Sequence, residues 1–149
     1  MNKRKTYFFV FLILTCCVIF LLITGSPLLV YPLDKGGLIP LGTFITWIGM
    51  ISLPFSVYWG AKELRQPTSR FNMILSVVLK LLILLGILWV PISYLLAGNL
   101  SFSFSEKEVF QGGQTAMKWF WRLSYGIGIG SCLVLISFFV SSLIFKKRN

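Results

Sequence analysis

Within its long apolar stretches the chain carries one charged side chain, Lys80, and Asn72, Ser76 and Lys80 follow one another at i, i+4 and i+8. On a helix that spacing forms a polar stripe. In the preceding apolar segment Pro54 has no backbone N–H to give, which frees the carbonyl of Met50, and Ser52 and Ser56 flank the proline. The pattern predicts a pocket in which Lys80 donates to the Met50 carbonyl and to the serine hydroxyls. A charge inside a bilayer costs about 2.5–3.5 kcal/mol on insertion scales and marks functional positions. The competing account is a lysine whose stem snorkels and whose ammonium only sets the depth of its helix.

Other chemistry is thinly represented. Ser76 and Lys80 have the residue types of a Ser–Lys dyad, but nothing beside them supplies an oxyanion hole or a substrate cleft. There is no histidine, and the only cysteines, Cys16, Cys17 and Cys132, lie inside apolar segments without a C-x-x-C. They are expected to be packing residues in the core. With Asp34, Glu63, Glu106 and Glu108 the only carboxylates, no metal site is expected. The chain is read as a non-enzyme that needs no cofactor.

The elements that must carry these residues follow from composition. Of 149 residues 56% are apolar and 12% charged, about half the charge of a soluble domain. Four segments reach the roughly 20 apolar residues that a bilayer core requires: about 7–24, 39–59, 71–96 and 123–145. The third would be about 39 Å long as one helix, so it must tilt or kink, and Pro91 offers the place. The expected fold is an all-α integral membrane protein, a four-transmembrane-helix bundle forming one domain. Lys3-Arg4-Lys5 before the first segment reads as the flank of an uncleaved signal anchor.

The net charge of +10 lies at the ends of the apolar segments, which excludes a folded nucleic-acid groove. Nine basic residues fall on the side shared by both termini and the middle connection, and four on the other. The basic excess predicts cytoplasmic termini, contact with anionic lipid headgroups on that face, and residence in a bacterial inner membrane.

Two outer loops then stand on the far side. The first, 25–38, is rich in Gly and Pro and presents Asp34 and Lys35. The second, 97–122, opens with alternating Leu100-Ser101-Phe102-Ser103-Phe104-Ser105, followed by Glu106 and Glu108. That alternation fits a short β-strand, or equally a loop lying on the membrane with Phe102 and Phe104 dipped into lipid. Asp34, Lys35, Phe102, Phe104, Glu106 and Glu108 form the candidate recognition surface.

Small residues supply packing stripes. Gly126 and Gly130 make a G-x-x-x-G pair that Ser137 extends, and Gly49 and Gly60 lie on the second segment with Thr46 and Ser56. These stripes predict close packing of the second and fourth spans, or self-association through Gly126 and Gly130 into a homo-oligomer. In size, span number and cytoplasmic termini the chain resembles the four-span immunity proteins that act against pore-forming bacteriocins. The likeness is architectural and transfers no residue. The charged Arg/Asn/Glu helix motif of four-span glutathione-transferase-like membrane enzymes is absent. The expected function is in-plane binding of another membrane protein, as an accessory subunit or an immunity- or exclusion-type factor. The alternative is a small oligomeric transporter or channel using Lys80 in a cytoplasm-facing vestibule.

Overall fold

The computed structural model describes residues 3–35, 39–101, 110 and 112–146. Among them the helices are α1 (Lys3–Ile23), α2 (Leu41–Gly60), α3 (Lys62–Arg65), α4 (Arg70–Ile87), α5 (Trp89–Ala97) and α6 (Gly113–Lys146), with a 3-10 turn at Pro27–Val30. Four of these, α1, α2, α4 and α6, are long and apolar enough to cross a membrane.

The apolar lengths locate the helices well, and the departures have local causes. Lys3, Arg4 and Lys5 belong to α1, so the basic flank is itself helical. The third segment is broken into α4 and α5 at Leu88 (φ −83°, ψ 1°), three residues before Pro91. Pro91 has no N–H for the Ile87 carbonyl and its ring crowds that oxygen, so the disturbance appears one turn upstream. The Trp47 indole repairs it from α2: Nε1 lies 3.1 Å from both the Gly86 and Ile87 carbonyl oxygens. Trp47→Phe keeps the ring and removes the donor, and is expected to cost about 1–2 kcal/mol in a detergent unfolding assay. Adding Pro91→Ala, which restores an N–H opposite Ile87, should recover part of that loss.

The fourth segment begins ten residues earlier than expected. Gly113, at φ +62°, lets the chain turn into α6, which runs for 34 residues, about 51 Å. Residues 113–122, expected as loop, are helical. Ala116, Phe120, Ile127 and Val134 are all buried, at spacings that keep them on one face.

α2, α4 and α6 pack mutually, and α5 sits against α6. Near the start of α1 and the end of α6 the core holds Leu64, Leu79, Val134 and Phe138. The opposite, distal end is built on Trp89, Ala97, Phe120 and Ile127. Among the described residues α1 packs only on α2 and the 3-10 turn, and its buried residues are Thr15 and Val18. Thr15 Oγ1 lies 3.0 Å from Ser52 Oγ. Arg4 clamps the other end, with Nη2 2.8 Å from the Gly60 carbonyl and Nε 3.3 Å from that of Trp59. A guanidinium there satisfies the last carbonyls of α2 and complements its dipole.

The distal connection before α2 closes on itself. Leu33 N–H donates to Ile39 O and Leu41 N–H to Tyr31 O, each at 2.8 Å, around an isolated antiparallel bridge of Pro32 and Pro40. No strand forms among the described residues. At the start of the alternating run, the Leu100 carbonyl accepts from Thr43 Oγ1 at 2.6 Å, and Asn99 Oδ1 accepts from Ser101 N–H at 3.0 Å and Oγ–H at 2.7 Å. Phe102, Phe104, Glu106 and Glu108 lie outside the described residues.

Candidate functional site

Because α1 and α6 both flank α2 and do not pack on each other among the described residues, a side-open valley runs along α2 between them. Toward the start of α1 it widens to about 490 Å³, walled by Leu12, Val57, Leu135 and Phe138, with Arg4, Lys62 and Glu63 at its rim. An adjoining hollow of about 380 Å³ shares Arg4 and adds Lys5. Toward the distal end the valley narrows to about 270 Å³ between Leu22 of α1 and Trp121 and Tyr125 of α6.

The distal hollow is floored by Thr46 and Met50 and backed by Trp89. Trp89 Nε1 donates to Ser124 Oγ at 2.8 Å, and that hydroxyl donates to the Phe120 carbonyl at 2.9 Å. Thr46 is only 9% exposed, and its Oγ1 has no hydrogen-bond partner among the described residues. A buried hydroxyl without a partner is costly, so this hollow favours an occupant able to hydrogen-bond.

The stripe of Asn72, Ser76 and Lys80 does not share one face. Each i+4 step turns about 40° around the helix, so Asn72 is half-buried, Ser76 buried and Lys80 exposed. The Met50 carbonyl freed by Pro54 meets the backbone of Gly86 on α4, not Lys80. Ser52 faces Thr15 on α1, and Ser56 Oγ donates to the Leu53 carbonyl at 2.7 Å beside the valley. The structure does not bring the expected pocket together: Lys80 is exposed, while the Met50 carbonyl, Ser52 and Ser56 meet Gly86, Thr15 and Leu53. Lys80→Leu is expected to shift stability by no more than about 0.5 kcal/mol, read from the thermal midpoint in detergent.

α2 and α6 do pack on each other within the bundle, and the stripe glycines themselves receive other neighbours. Gly49 receives Val18 of α1, where an added Cβ would come within 2.6 Å of Cγ1, and Gly60 faces Phe8. Gly130 takes Leu82 of α4, while Gly126 faces open space. Ser137 is half-buried at the edge of an outward hollow with Phe71 and Ile144. Cys16, Cys17 and Cys132 are all exposed instead of packed in the core. Asp34 accepts from Ile39 N–H at 2.8 Å and so shapes its own loop, leaving Lys35 exposed beside it.

Arg4, Thr15, Trp47 and Trp89 were not singled out by sequence as positions that join helices. Their signal was present as polar atoms within apolar segments (Thr15, Trp47, Trp89) or in the basic flank (Arg4), but the partner of each lies at least 35 residues away. Among the described residues no three histidine, cysteine or carboxylate side chains gather. No protein-family model, curated protein or solved structure matches the chain.

Proposed function

We propose that this is a multi-pass protein of a cytoplasmic membrane, with both termini inside the cell, that binds another membrane protein within the plane of the bilayer. Its role is that of an accessory subunit or an immunity- or exclusion-type factor. The observation that carries this reading is the side-open valley between α1 and α6, whose distal half ends on the unpartnered Thr46 hydroxyl. Within a bilayer, helices associate through close packing and interhelical hydrogen bonds instead of through hydrophobicity. A helix with one polar side chain, laid along the distal valley, would satisfy both terms. The aromatic wall of Trp121 and Tyr125 offers large contact area at low entropic cost. The exposed Lys35 lies at the same end and would extend the contact outside the bilayer.

Photo-crosslinking residues placed at Leu22 and Tyr125 in native membranes test the reading, with Ile74 on the exposed face of α4 as the control. A defined adduct with one membrane protein from the valley positions, and none from Ile74, is the expected result. Equal diffuse labelling at all three, or an anion flux in liposomes that Lys80→Leu abolishes, would overturn it in favour of a non-binding role or a transporter.

A further inference from the structure

We infer that the wider half of the valley, near the start of α1, is a binding slot for one anionic phospholipid. The inference rests on the chain lying in a bilayer and is independent of the protein partner proposed above. The rim and the adjoining hollow carry Arg4, Lys5 and Lys62 against the single carboxylate of Glu63. That surplus of positive charge suits a headgroup with a net negative charge and gives no net attraction to a zwitterionic one. Arg4 is held in place by the Trp59 and Gly60 carbonyls, so its guanidinium stands at the rim without further ordering.

Below the rim the chemistry changes abruptly. Leu12, Val57, Leu135 and Phe138 make an apolar trough of about 490 Å³, open to one side. A cationic mouth over an apolar trough matches an amphiphile with its phosphate at the mouth and an acyl chain along α2. A soluble anion would use only the mouth, and an apolar helix would leave the basic rim unmatched.

The test is native mass spectrometry of the whole protein purified in mild detergent and offered phosphatidylglycerol or phosphatidylcholine. One phosphatidylglycerol per chain should be retained in preference to phosphatidylcholine. Lys62→Glu reverses an exposed rim charge away from the core, and should weaken that retention roughly tenfold. Leu135→Trp, which fills the trough without touching the rim, should also abolish it. Equal retention of the two lipids, or retention unchanged in both variants, would overturn the slot. Displacement by inorganic phosphate would overturn it as well, in favour of a simple anion site. Release of the protein from membranes by alkaline carbonate would refute the bilayer placement itself, a result separable from a missing lipid preference.

Discussion

A single methyl group added at Gly86 is expected to cost roughly 3 kcal/mol, the upper range for overpacking a closed core. A Cβ at this position would overlap the Met50 carbonyl oxygen and stand 3.1 Å from the carbonyl carbon and 3.6 Å from Ile51 Cα. All three atoms are backbone, so no rotamer change relieves the clash; α2 and α4 would have to separate. The approach has a chemical origin. Pro54 leaves the Met50 carbonyl without its helical donor, and only a residue lacking a side chain lets the α4 backbone close over it. Gly126→Ala is the control, because a Cβ there meets nothing within 4 Å. It should be neutral or gain up to about 1 kcal/mol of helix propensity. Unfolding in detergent measures both, and equal behaviour of the two variants would refute the close approach.

Trp89→Ala should cost about 3–5 kcal/mol, the range for deleting a large buried aromatic residue. Trp89 is 1% exposed, its ring centroid is 5.7 Å from that of Phe120, and its indole N–H is used by Ser124. It thus joins α5 to α6 just after the break at Leu88. Ser124→Ala removes the hydrogen bond alone and should cost about 1 kcal/mol. Combined with Trp89→Phe, the two losses should fall short of additivity, since each deletes the same contact. Because Trp89 also backs the distal hollow, crosslinking from Leu22 and Tyr125 should fall in Trp89→Ala even in the fraction that stays folded.

Length and hydropathy made the four long apolar helices legible, since the number of residues needed to cross a bilayer depends on no partner. Pro91 announced a break, though not that it would appear at Leu88 or that Trp47 would cap it. The extra turns of α6 were written in Ala116, Phe120 and Leu123, but three tryptophan or phenylalanine residues in a row, at 119–121, masked their period. The candidate site was read less well. Lys80 drew attention by its charge, yet the helical stagger carries it outside, and the polar atoms that join helices belong to residues of ordinary type.

Sequence alone therefore established that the chain forms four long apolar helices, roughly where each lies and where its basic charge gathers, because those are sums over local residues. Which face of each helix turns inward was settled only by tertiary packing. The helices are apolar nearly all round, so burial carries no periodic signal. Facing is decided instead by small fits between distant residues: Val18 on Gly49, Thr15 on Ser52, and the bare backbone of Gly86 on the Met50 carbonyl. The valley follows from the same fits, since they seat α1 on α2 and leave its other side open toward α6.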